Sequence, residues 1–125
     1  MKEIKMPEFK FLKYEVDGNT AVVTMNRPEV YNALSLDAKK EIIEAVKISN
    51  NDPQVRSIIL TGEGKAFCTG QDLNDRTIQS SKGLVDLGYT LETEWNPLIN
   101  SFRNSNKIII GAINGVCAGA GVSIA

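Results

Sequence analysis

Two glycine-bearing segments, Phe67-Cys68-Thr69-Gly70-Gln71-Asp72-Leu73 and Asn114-Gly115-Val116-Cys117-Ala118-Gly119-Ala120-Gly121, each follow an apolar run that reads as a buried strand. Glycine lets a backbone turn sharply and approach a ligand closely, and a turn that leads into a helix leaves amide N–H groups unpaired. Such groups can hold a developing oxyanion. One loop of this kind says little, because glycine turns after strands are common. Two of them, behind aliphatic runs of similar length (Val55 to Thr61 and Lys107 to Ile113), read as halves of one site presenting two donors to one oxygen.

The absence of histidine from the sequence narrows the chemistry further. It removes Ser-His-Asp and Cys-His arrangements, histidine metal sites and imidazole acid–base catalysis together, leaving carboxylates, hydroxyls and backbone amides. Cys68 and Cys117 lack C-x-x-C spacing, so they read as small buried thiols lining turns and no metal site is expected. With 14 basic and 15 acidic residues, the net charge of -1 provides no field for steering nucleic acid or anionic lipid, and neither is an expected partner. No stretch approaches the roughly 18 consecutive apolar residues of a membrane span, and Met1 to Lys10 lacks the apolar core of a secretory signal. A cytoplasmic location is expected. A length of 125 residues fits one domain that buries roughly two-thirds of its unfolded surface.

The elements that must position the two loops are legible in outline. Phe11 to Val16 and Thr20 to Met25 flank Asp17-Gly18-Asn19, a hairpin signal. Arg27-Pro28 forces an extended loop. Ser35 then caps a helix with Ala38, Ile42, Ala45, Val46 and Ser49 on one face, Asp37 near its positive end and Lys47 near its negative end. Asn50-Asn51-Asp52-Pro53 stops that helix before the strand Val55 to Thr61. Asp75 to Lys82 reads as a mobile polar loop, and Leu84 to Arg103 has helical spacing interrupted by Pro97, which predicts a kink or a break. Tyr89 and Trp95 on that stretch belong to a core stripe or shape an acyl pocket. The order ββαβ, loop, αβ, loop is an α/β arrangement with parallel pairing. Gly121-Val122-Ser123-Ile124-Ala125 reads as one apolar helical turn without a cap, from which a longer protein is expected.

Three segments carry a family resemblance: Asn26-Arg27-Pro28-Glu29-Val30-Tyr31-Asn32-Ala33-Leu34-Ser35, Lys65-Ala66-Phe67-Cys68-Thr69-Gly70-Gln71-Asp72-Leu73, and Ala112 to Gly121. In this order and spacing they resemble the crotonase superfamily, the enoyl-CoA hydratases and isomerases, from about Phe11 to the last residue. The resemblance implies a spiral of ββα units, incomplete because the chain stops before the C-terminal helical part. Residues 1–125 would then be the N-terminal part of an acyl-CoA-binding core, in one domain. It also implies binding of an acyl-CoA thioester with its carbonyl oxygen between two backbone N–H groups, those of Gln71 and Ala120. Val30, Lys65, Asp72, Leu73 and Asn74 match substrate-binding positions, Val30 and Lys65 near the CoA nucleotide. No cofactor is implied, coenzyme A being part of the substrate, and the full-length protein is expected to be a homotrimer or hexamer.

Plain structural roles stand beside several of these. Asp72 can cap the following helix, Lys65 can be an ordinary solvated lysine, and Asn114 with Gly115 can simply set a turn. The resemblance also has a departure. Family hydratases carry a glutamate where this chain has Ser123, and a serine hydroxyl without an adjacent base takes no proton at neutral pH. The second catalytic carboxylate of the family would fall beyond Ala125. These features point to the isomerase branch, with the 1,2-epoxyphenylacetyl-CoA isomerases of phenylacetate degradation as the nearest subgroup. They also leave open a non-catalytic interaction fragment that docks on a full-length relative. A dinucleotide-binding module is a further alternative, disfavoured because Ile124 occupies the third glycine position.

Overall fold

In the computed structural model, which describes residues 8–73 and 91–125, the chain opens with the expected hairpin. Strands β1 (Leu12–Asp17) and β2 (Thr20–Met25) pair antiparallel, Asp17 opposite Thr20. Helix α1 (Leu36–Asn51) starts where Ser35 Oγ accepts a hydrogen bond from Ala38 N. Ala38, Ile42, Ala45, Val46 and Ser49 are all buried, as the 3.6-residue period predicts. Lys39 is buried as well, which no apolar pattern anticipates. Lys47 departs from expectation: the helix continues to Asn51 and has no basic residue in its last turn.

Strand β3 (Ser57–Gly62) returns beside β2 in parallel, and β5 (Ile108–Gly111) adds in parallel to β3, giving the sheet order β1-β2-β3-β5. Alternate residues of the strands, Ala21, Val23 and Met25 on β2 with Ile58 and Leu60 on β3, are buried and share one core cluster with the inner face of α1. Phe67, Trp95 and Leu98 belong to the same cluster.

The two glycine segments are not wholly loops. Ala66–Cys68 forms β4 and Val116–Cys117 forms β6, and these pair in parallel as a separate small sheet, Cys68 opposite Cys117. Strands of three and two residues are too short to show a period of two in sequence. Between them in the chain, a single π-helical turn (Leu91–Trp95) leads into helix α2 (Asn96–Arg103), with Pro97 in its first turn. The helical path is not broken at Pro97, because Trp95, just ahead of α2, is itself helical (φ -76°, ψ -44°); the proline instead marks the change from the π-helical turn to the α-helix. Asp75 to Lys82 and the stretch from Leu84 to Thr90, including Tyr89, lie outside the described residues. The last element is the short helix α3 (Ala120–Ile124).

Ile108 and Ile110 on β5, Val116 on β6 and Val122 on α3 are all at least half exposed, so this end of the described structure presents an apolar face. No helix among the described residues is long and apolar enough to cross a membrane.

Candidate active site

The segment Arg27 to Ser35 builds the first wall of the site. Pro28–Val30 is a 3-10 turn, and Tyr31 and Asn32 follow in the left-handed region at φ 53° and 59°. Asn32 is buried and holds the wrap together: its Oδ1 accepts from Arg27 N (2.8 Å), while its Nδ2 donates to Glu63 O (3.0 Å) and Ala66 O (2.9 Å). Arg27 Nη1 donates to Ala33 O and to Asp72 Oδ2, at 3.1 and 2.9 Å. Asn32→Ala should therefore destabilise the protein by about 3 kcal/mol, from buried groups left unpaired and from a left-handed residue without asparagine's tolerance for it. Urea denaturation measures this directly, and a change below about 1 kcal/mol would contradict the role given to the side chain.

The wrap ends by gripping the first glycine segment. Leu34 N donates to Gly70 O (2.7 Å) and Asp72 N donates to Leu34 O (3.1 Å), so Leu34 and Gln71 form a parallel bridge. In such a bridge the flanking residues make the bonds, and the N–H of the central residue, Gln71, points to the other side. The second segment lies beside Gly70, the residue just before Gln71. A Cβ added to Gly70, whose φ is 99°, would stand 3.0 Å from Ala120 N and 3.6 Å from Gly121 N. Gly70 thus has both a backbone conformation and a neighbour that exclude a side chain. Ala120 is the first residue of α3, so its N–H has no intrahelical acceptor. Among the described residues, neither Gln71 N nor Ala120 N donates to a backbone carbonyl.

The end of β4 supports this juxtaposition. Cys68 O accepts from Ala118 N (3.2 Å), and Gly121 packs so closely on Cys68 that a Cβ at position 121 would stand 2.1 Å from the same oxygen. Asn114 secures the other flank: its Oδ1 accepts from Gly62 N (3.0 Å), and its Nδ2 donates to Gly64 O and Ala66 O, both at 3.1 Å. That is the turn-setting role read for it from sequence.

Burial pushes the Cys68 thiol up from 9.0 to about 11, against a smaller opposing effect of the Gly70 backbone hydrogen bond. A raised thiol pKa means the fold favours the neutral form, so its contribution is complete below pH 9 and is lost as pH rises from 9 to about 11. We expect the unfolding free energy to fall by about 2–3 kcal/mol across that window through this group. Cys68→Ala should remove this part of the alkaline slope in pH-dependent denaturation, and an unchanged slope would refute the assignment.

The other sequence-derived positions are spread around this centre. Val30 is half-buried on the 3-10 turn, and Lys65 is exposed on the turn after Gly64, which packs against Pro28. Thr69 Oγ1 donates to Tyr31 O (3.1 Å), tying the first loop to the same turn. Asp72 is buried against Arg27, a pairing absent from the sequence reading, and Leu73 is 76% exposed. Asn74 lies outside the described residues. Sequence reasoning missed Asn32, Lys39 and Glu94. The only hint for Lys39 was its place one residue after Ala38 at the edge of the apolar stripe.

Parallel ββα units with two backbone-lined loops side by side define a crotonase-type fold. The enoyl-CoA hydratase/isomerase family profile matches residues 15–125, and the chain belongs to that family. It is 37% identical over 116 residues to 1,2-epoxyphenylacetyl-CoA isomerase of Escherichia coli, covering 93% of this chain and 44% of that protein. It is 32% identical over 109 residues to a mevalonyl-coenzyme A hydratase of Beauveria bassiana, covering 83% of this chain and 39% of that protein. The crystal structure of an enoyl-CoA hydratase/isomerase from Mycobacterium paratuberculosis superposes with a TM-score of 0.71 at 36% identity, covering 91% of this chain and 41% of that one. The chain thus spans less than half the length of these relatives. The family match also overturns the dinucleotide alternative. The strand ahead of Gly119 is the two-residue β6, outside the main sheet, where a dinucleotide fold needs a central strand.

Proposed function

We propose that this chain supplies the thioester-polarising half of an acyl-CoA isomerase-type enzyme, with the N–H groups of Gln71 and Ala120 as donors to one carbonyl oxygen. The observation that carries the reading is the approach of Ala120 N to within 3.0 Å of the Cβ position of Gly70, the residue just before Gln71, whose own N–H takes no part in the bridge to Leu34. Polarising the thioester lowers the cost of removing an α-proton, because the enolate oxygen gains charge where rigid donors already wait. Each donor of this type is worth about 3–4 kcal/mol in the transition state. Asp72 and Leu73, which follow Gln71 on the first loop, and Asn74 are the positions assigned to substrate binding, while Val30 and Lys65 are assigned to the CoA nucleotide, where the exposed lysine can meet phosphate.

Isomerisation is favoured over hydration because Ser123, exposed on α3, offers no group that activates water. The proton would then be carried by a carboxylate outside the described residues, and the small-molecule partner is acyl-CoA, with no separate cofactor and with the full-length protein as a homotrimer or hexamer. The test is incubation of the purified full-length enzyme, the 125-residue chain alone being expected to be inactive, with enoyl-CoA thioesters and with epoxyphenylacetyl-CoA, following double-bond migration or ring opening by absorbance and mass. Isomerised product without hydrated product is expected. Failure to bind any thioester would end the reading, and a hydrated product would end its isomerase part.

A further inference from the structure

Four side chains from three elements meet beside the proposed oxyanion donor. Gln71 Oε1 accepts from Lys39 Nζ on α1 and from Trp95 Nε1 (2.7 Å) at the end of the π-helical turn, while Gln71 Nε2 donates to Asp72 O (3.2 Å). Lys39 Nζ also pairs with Glu94 Oε1 at 2.9 Å and lies 4.3 Å from the centre of the Trp95 ring. The Lys39 and Glu94 side chains are each 1% exposed, and Glu94 Oε2 has no hydrogen-bond partner among the described residues.

This arrangement is poorly explained by stability. Replacing a buried ion pair by apolar side chains of similar volume is commonly neutral or stabilising, because desolvation of two charges offsets most of their attraction. The unpartnered Glu94 oxygen makes this pair worse than average in that respect. What the pair does achieve is geometric: Glu94 holds the ammonium, and the ammonium together with the indole N–H holds the Gln71 side chain from two directions. A glutamine with both ends of its amide engaged has little freedom left in its own backbone, and it is this backbone N–H that the site aims at substrate.

We infer that Lys39, Glu94 and Trp95 are positioning residues, which set the direction of the Gln71 N–H and so the polarisation of the bound thioester. The inference rests on the oxyanion reading above. It is tested by isotope-edited infrared spectroscopy of an enoyl-CoA labelled with 13C at the thioester carbonyl, bound to the wild-type protein and to two variants. A downshift of the carbonyl stretch on wild-type binding is required by the oxyanion reading itself, and its absence would overturn that reading together with this one. Given that downshift, the double variant Lys39→Met/Glu94→Met should fold with an unchanged or raised Tm and show a smaller downshift. Its kcat should fall about tenfold, less than the roughly 10²–10³-fold cost of deleting a donor, and KM should barely move. Trp95→Phe, which removes one donor to Gln71 and no charge, should move the stretch in the same sense by a smaller amount. It decides the question alone should the double variant not fold. A full wild-type downshift and kcat in a folded variant would overturn the proposal while leaving the oxyanion reading intact.

Discussion

Gly121→Ala is expected to lower thioester turnover by about 10²-fold and to lower the Tm, although alanine is the better helix former by about 1 kcal/mol. The two effects oppose each other, and the geometry decides which wins. The new Cβ would stand 2.1 Å from Cys68 O and 2.7 Å from its carbonyl carbon, and both are backbone atoms of a buried strand that no side-chain rotation can move. Relief requires α3 to retreat from β4 by about an ångström, a displacement of the order that costs 10²-fold in catalysis when it separates groups acting together. Ala120 N is carried on that same turn, next to Gly70. The control is Val122→Ala, one residue along on the same helix and exposed, which should leave both Tm and turnover near wild type. A Gly121→Ala protein with raised Tm and full turnover would show that helix propensity governs the position and that the contact with Cys68 is not held in solution.

Lys39→Met alone is expected to destabilise the protein by about 3–5 kcal/mol, enough to remove a large share of the stability of an ordinary domain. The cost does not come from a lost attraction. It comes from Glu94, whose carboxylate would stay buried beside Trp95 with neither oxygen paired among the described residues. For the same reason Glu94→Met added to Lys39→Met should bring stability back to the wild-type level or above it, a strongly non-additive pair. Denaturant unfolding of the wild type, both single variants and the double variant closes the cycle. Equal stability of Lys39→Met and wild type would mean that Glu94 reaches water, contrary to its burial.

How far each of these features could be read before folding depends on the range over which its cause acts. The hairpin and α1 follow from causes spanning a few residues: Gly18 in a tight turn and Ser35 capping the N–H of Ala38. Pro97 changes the helix type without ending the helix, because the π-helical turn ahead of it accommodates the ring. The buried stripe of α1 follows from a 3.6-residue period, and the glycine segments stand out because closely packed backbone requires glycine there. Even the likeness to the hydratase/isomerase family rests on such local strings.

Only the tertiary structure decided the rest. That β4 pairs with β6, that Leu34 turns the Gln71 N–H outward, and that Ala120 N arrives beside Gly70 are contacts between residues some 37 to 50 positions apart, and no local pattern records them. Lys39 is the sharpest case. A lysine next to an apolar stripe is ordinarily solvent-facing, since burying an ammonium is costly without a partner, and its partner Glu94 lies 55 residues away. Sequence by itself determined where this backbone could turn and where it could bury; the fold determined which turns face one another, because desolvated charges and shared donors exist only once distant segments have met.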